Sequence, residues 1–163
     1  MTLEHYEMME NEDAQSGKYL EFQIGKEAYG IPIRFVTEII NMQAVSSLPE
    51  APDYLKGIIN LRGRIILVID MRCRLNKKDM DYTDRTCIVV VEAENLNAGL
   101  IVDSVTEVLG IEDKDIAPAP QIKIAGGNGY LSGIGKVNGE VKLLLDCDKL
   151  FSDEESKIIK EIN

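Results

Sequence analysis

The chain has 163 residues, 45% of them apolar and 28% charged, with no tryptophan and a formal net charge of −10. A chain of this length buries roughly 70% of the surface its unfolded form exposes, enough for one domain or two small ones, and the composition excludes a disordered, collagenous or low-complexity chain. The acidic balance opposes nucleic acid, which needs a basic footprint, and anionic lipid.

The N-terminal stretch MTLEHYEMMENEDAQSG is acidic and lacks the charged-then-apolar plan of a signal peptide. Residues 1–17 read as disordered. They hold the single histidine, His5, so a histidine-based metal cluster is excluded. YLEFQI (19–24), IPI (31–33) and FVTEI (35–39) are short, β-branched and partly alternating, the pattern of strands. LPEAPDYLKG (48–57) predicts one short turn of helix after Pro52, ended at Gly57. NLRG (60–63) lies between apolar runs with glycine last and reads as a hairpin turn, the glycine taking a positive φ. RIILVID (64–70) is the returning strand, and MRCRL (71–75) a second short helical turn after Asp70.

From Cys87 the plan begins again. IVVVEA (88–93) stands in register with YLEFQI, and GLIVDSVTEVL (99–109) aligns without gaps on GIPIRFVTEII (30–40), with Gly, Val, Thr and Glu coinciding. LSGIGKVNGEVKLLLDCDKLF (131–151) aligns on LKGIINLRGRIILVIDMRCRL (55–75), matching Leu55/Leu131, Gly57/Gly133, Gly63/Gly139 and Asp70/Asp146. The offset grows from 69 to 76 residues, so the second copy carries about seven extra, within IEDKDIAPAPQIKIAGGNG (111–129). Two matches in the same order indicate a duplicated module. Each copy, 19–75 and 88–151, offers five short strands, a unit that closes most easily into a small barrel. The C-terminal FSDEESKIIKEIN places Ser152 and Glu155 as a capping box ahead of Ile158, Ile159 and Ile162, which predicts a helix over 152–163.

No catalytic constellation emerges. Asp70 and Asp146 occupy equivalent positions and offer either a paired-acid site or two helix caps; capping is favoured, because each follows a strand and precedes a helical segment. Cys73, Cys87 and Cys147 form an odd set without a CxxC pair, which points to a reducing compartment. Cys87 and Cys147 adjoin aliphatic strands and read as core. The AGGNG cluster (125–129) lacks the Lys-Ser/Thr of a phosphate loop. What remains is a binding module. Arg62 at its turn and Glu38 among Val36, Ile39 and Ile40 are either solvated charges, an ion pair, or the rim of an interface.

GIINLRGRIILVIDMRCRL (57–75), together with YGIPIRFVTEI, AGLIVDSVTEVL, IAPAP and YLSGIGKV, resembles the CheW family of chemotaxis coupling proteins over about Lys18 to Phe151. Leu67 stands where the family commonly has proline, and Cys87 where an aliphatic is usual. The resemblance implies a mainly β fold of two pseudo-symmetric five-stranded SH3-like β-barrels, intertwined as one domain over 18–151, with a C-terminal helix. It implies a cytoplasmic adaptor without catalysis or cofactor, recruited to membrane receptor arrays. Its partners would be methyl-accepting chemoreceptors, through their cytoplasmic hairpin tip, and the regulatory domain of the histidine kinase CheA. The same fold in another receptor–kinase pathway, for motility or development, is the alternative. Carried over by motif, the receptor groove comprises Ile33, Val36, Glu38, Arg62, Gly99, Val102, Val105 and Val108. Kinase contacts fall on Met42, Val45, Ile116 and Ile122, the last two being equally well read as local core under a loop. No receiver domain or kinase core accompanies these segments, so a stand-alone adaptor without membrane insertion is expected.

Overall fold

The computed structural model describes residues 16–78, 80–93, 96–119 and 130–150. Ile122, the AGGNG cluster, the N-terminal stretch to residue 15 and the helix expected over 152–163 lie outside them. The chain is mainly β. The first copy supplies β1 (Lys18–Ile24), β2 (Glu27–Pro32), β3 (Val36–Asn41), β4 (Leu55–Leu61) and β5 (Arg64–Asp70). The second supplies β6 (Cys87–Ala93), β7 (Leu96–Val102), β8 (Ser104–Gly110), a short β9 (Ile116–Pro118), β10 (Leu131–Val137) and β11 (Glu140–Leu145).

The pairing departs from a barrel closed within each copy. One sheet has six strands in the order β8-β1-β2-β11-β10-β9, the other five in the order β3-β6-β7-β5-β4. Each copy thus lends its first two strands to the sheet built from the last strands of the other. The joints are parallel: β2 lies beside β11 and β5 beside β7. The five-stranded order recurs in the larger sheet once copies are exchanged, and β9 is the addition. Its first-copy counterpart is a single bridge, Ser46 to Ile58.

The main core fills the space between the sheets, with Leu20, Phe22 and Ile31 from one meeting Leu67, Val89 and Leu100 of the other. A second cluster (Ile59, Ile66, Val68, Ile88, Val90, Ile101) fills the opposite face of the five-stranded sheet. Strands β5, β6 and β7 are therefore buried on both faces, which is why RIILVID, CIVVV and GLIV read as continuous apolar runs instead of alternating ones.

Both hairpin turns form where expected, but each needs two positive φ angles. Arg62 and Gly63 stand at 52° and 86°, Asn138 and Gly139 at 52° and 80°, the pattern of a type I′ turn. Both aspartates cap. The Asp70 carboxylate accepts from the Arg72 amide at 2.9 Å and opens α1 (Met71–Arg74), and Asp146 accepts from the Asp148 amide at 3.1 Å ahead of a 3-10 turn, Cys147–Lys149. The helical turn expected after Pro52 does not form. The chain turns at Asp53–Tyr54, and β4 has already begun at Leu55. Gly57 is no helix stop. It lets β4 pass close to Ser46, whose backbone exchanges two hydrogen bonds of 2.9 Å with Ile58.

Asp103, at the β7–β8 junction, ties the copies together. It accepts from the Arg72 guanidinium at 2.8 and 2.5 Å and from the Gly25 amide at 2.8 Å. Burial alone would raise its pKa; these hydrogen bonds outweigh burial and hold it below the ordinary 3.8. A depressed carboxylate pKa stabilises the fold above the unfolded value, and that stability is lost as pH falls through the folded one. Asp103→Asn is expected to cost ~1–3 kcal/mol at pH 7. Urea titrations at descending pH should show the gap to wild type closing only below the ordinary 3.8.

Candidate functional site

Strand β3 carries the site, and a bulge positions it. Val36 pairs with Val91 of β6, Glu38 with Val90, Ile39 with Val89 and Ile40 with Ile88; the register shifts between Val36 and Glu38. In a regular strand residues 36 and 38 share a face. The extra residue reverses that parity. Val36 enters the main core with Val91, while Glu38 and Ile40 turn to the side of the second cluster, with Val90 and Ile88. The same shift recurs on β8, where Val105 pairs with Phe22 and Glu107 with Glu21.

Arg62 meets Glu38 across the sheet. One guanidinium nitrogen lies 2.6 and 2.5 Å from the two carboxylate oxygens. Glu38 is on one marginal strand and Arg62 on the turn beyond the other, so the five-stranded sheet curls until its margins touch. The contact explains little stability. The arginine side chain is 70% exposed and the glutamate 29%, and such a pair contributes about 0–1 kcal/mol. Holding arginine at φ 52° costs roughly 1–2 kcal/mol relative to a residue suited to it; the second copy uses asparagine there. The strain at Arg62 points to a use for the guanidinium outside folding.

Apolar side chains surround the pair. Ile40, Met42, Val45 and Leu61 are half-buried and rest on the second cluster. Glu38 and Arg62 thus stand at the mouth of the small core on which Met42 and Val45 also lie, so two surfaces read separately from the sequence meet here. The other groove candidates are distributed differently. Ile33, Val36 and Val102 are 4%, 5% and 1% exposed and belong to the main core. Gly99 is buried, and a Cβ there would lie 2.6 Å from the Ile88 γ-methyl. These four support the surface from beneath and present no side chain to a partner. Val105 and Val108 on β8 are half-buried, as is Ile39 on β3. Ile116, half-buried on β9, packs on Gly133.

Burial raises the Cys87 thiol, and burial together with Asp148 and Asp146 pushes Cys147 up to about 12, so neither is a nucleophile at neutral pH. Among the described residues no group of His, Cys, Asp and Glu side chains is arranged to hold a metal, and no helix is long and apolar enough to cross a membrane. Sequence reading missed three charged features. They are the Arg72–Asp103 tie, a buried Glu21–Lys142 pair, and Arg74, whose guanidinium lies over Tyr54 and its repeat counterpart Tyr130 at 4.2 and 5.0 Å. The Glu21–Lys142 pair had a legible signal, since both charges replace the aliphatics Val90 and Ile66 of the other copy.

Comparison with known proteins agrees over the same span. The sequence model of the CheW-like domain matches residues 18–155. The chain is 33% identical over 145 residues to a chemotaxis protein CheW of Klebsiella aerogenes, covering 89% of this chain and 87% of that one. It is 32% identical over 158 residues to a chemotaxis protein CheW of Treponema pallidum, covering 94% and 93%. The crystal structure of the scaffolding protein TtCheW from Thermoanaerobacter tengcongensis superposes with a TM-score of 0.78 at 33% identity, covering 83% of this chain and 92% of that one.

Proposed function

The chain belongs to the CheW family of chemotaxis scaffold proteins, and from that premise we propose that it is a non-catalytic adaptor coupling methyl-accepting chemoreceptors to the histidine kinase CheA. The observation that carries the reading is Arg62, held in a left-handed turn at the mouth of an apolar core, with Glu38 orienting its guanidinium. A charged rim around half-buried aliphatics suits a helical hairpin that presents apolar side chains flanked by polar ones. Glu38 and Arg62 contact the receptor tip, with Val105 and Val108 on β8 as its apolar seat. Met42, Val45 and Ile116 face the kinase regulatory domain, and Ile122, carried over by motif, is assigned the same partner. Each contact is modest alone, and arrays at the cytoplasmic face of the membrane gain their hold through multivalency.

Arg62→Asn tests this cleanly, because asparagine occupies the equivalent turn at position 138 with the same positive φ. The variant is expected to be as stable as wild type or more so by up to ~1 kcal/mol. In a pull-down with purified kinase and receptor-bearing membranes it should keep the kinase and lose receptor about tenfold or more, a loss of about 1.4 kcal/mol of binding. Undiminished receptor capture by Arg62→Asn would remove the site. A wild-type chain that brings neither partner down would remove the pathway and leave the fold.

A further inference from the structure

The two sheets differ inside. Val90 of β6 and Ile66 of β5 lie in the closed apolar cluster of the five-stranded sheet. The matching residues of the six-stranded sheet are Glu21 of β1 and Lys142 of β11. Their side chains are only 5% and 8% exposed, and the ammonium lies 2.9 Å from the Glu21 carboxylate. Glu140, largely exposed, supplies a second carboxylate oxygen at 3.0 Å. Burial lowers the Lys142 pKa, but the two carboxylates outweigh it and the ammonium stays charged.

Glu21 comes from the first copy and Lys142 from the second, so the pair spans the strand exchange. Backbone hydrogen bonding does not dictate that exchange. The two parallel joints are alike, with Tyr29 opposite Leu143 in one and the equivalent Ala98 opposite Leu67 in the other, and a ladder forms equally well with either copy. Side chains do discriminate. Closing each copy on itself would put Glu21 into the cluster with Ile66, and Lys142 in with Val90. Glu21 would then be buried without its ammonium, and Lys142 would keep only the largely exposed Glu140 beside it on β11, which is worse than one ion pair and one apolar pair. We infer that the buried Glu21–Lys142 pair selects the exchanged pairing of the two copies over self-closure as the chain folds. This is the registry use of a buried ion pair, kept for the alternatives it penalises, and it stands apart from the functional reading above.

The test reports self-closure directly. Self-closure would set Ala28 against Ile66, residues that lie in different sheets of the folded chain. In a chain whose three native cysteines are replaced by alanine, cysteines placed at both (A28C and I66C) are brought within disulfide reach by self-closure and held apart by the exchanged pairing. The reporter chain is unfolded, refolded with oxidant present, and its cross-linked peptides are counted by mass. With Glu21 and Lys142 intact the 28–66 cross-link should be scarce. In the E21V/K142I background, which makes the two sheets alike inside, it should rise about tenfold or more. In the reversed pair, E21K/K142E, it should return to the intact level. Equal cross-linking with and without the pair would overturn the inference. So would failure of E21V/K142I to refold at all by circular dichroism, because the pair would then be a prop and not a selector.

Discussion

Replacing Gly57 by alanine is expected to lower stability by ~3–5 kcal/mol. The residue sits at φ 147°, and a Cβ built on it would lie 2.0 Å from the Ser46 carbonyl oxygen. That oxygen accepts the Ile58 amide in the bridge joining 42–48 to β4. A side chain therefore adds backbone strain and pushes the bridge open. The damage should spread to Met42 and Val45, which the bridge holds over the second cluster. Gly133 is an internal control. A Cβ there meets the Ile116 γ-methyl at 2.8 Å and the Ala117 oxygen at 3.0 Å, and its φ is not in the left-handed region, so Gly133→Ala is expected to cost only ~1–2 kcal/mol. Urea denaturation of the two variants decides it. Equal midpoints would mean that the Ser46 crossing carries no special constraint.

Val36→Asp should be nearly as damaging, and for the fold instead of the site. Val36 is 5% exposed and lies in the main core. A carboxylate there has no counter-charge, and the substitution is expected to cost ~3–5 kcal/mol at pH 7. Burial would raise the new carboxyl pKa. The penalty should therefore be largest above the raised folded-state value and ease as pH falls from there toward the unfolded-state value and the buried group protonates. Thermal melts at pH 7 and pH 5 should show a smaller deficit at the lower pH. A fully stable variant would place Val36 on the surface and return it to the groove. Until then, lost receptor capture by Val36→Asp reports unfolding, whereas the same loss by Arg62→Asn reports recognition.

Short-range physics was legible in the residues. The strands followed from β-branched runs, the hairpins from glycine at their turns, and the two caps from aspartates standing between a strand and a helical segment. Where reading failed, a distant contact had overruled a local preference. Pro52 followed by Asp53 and Tyr54 suits a helical start, yet the Tyr54 carbonyl accepts from the Asp70 amide and β4 pairs with β5 from Leu55 on, so the chain makes one turn and becomes a strand. Val36 and Glu38 look like one face of a strand, and only the bulge sends them to opposite sides. Of the groove expected from motif alone, Glu38 and Arg62 are brought into contact, Val105 and Val108 stay half-buried, and Ile33, Val36, Gly99 and Val102 become its foundation.

The residues by themselves determined the duplicated module, its strands and turns, its caps and its acidic charge, because each depends on neighbours a few positions apart. Tertiary structure alone decided three things: which copy's strands pair, which valines face inward, and that Glu38 meets an arginine 24 positions away. The reason is that a β-strand's hydrogen bonds are satisfied by any suitable partner in either register parity. The choice among partners is made by side chains that meet only once the sheets have formed, as Glu21 meets Lys142 in one and Val90 joins Ile66 in the other.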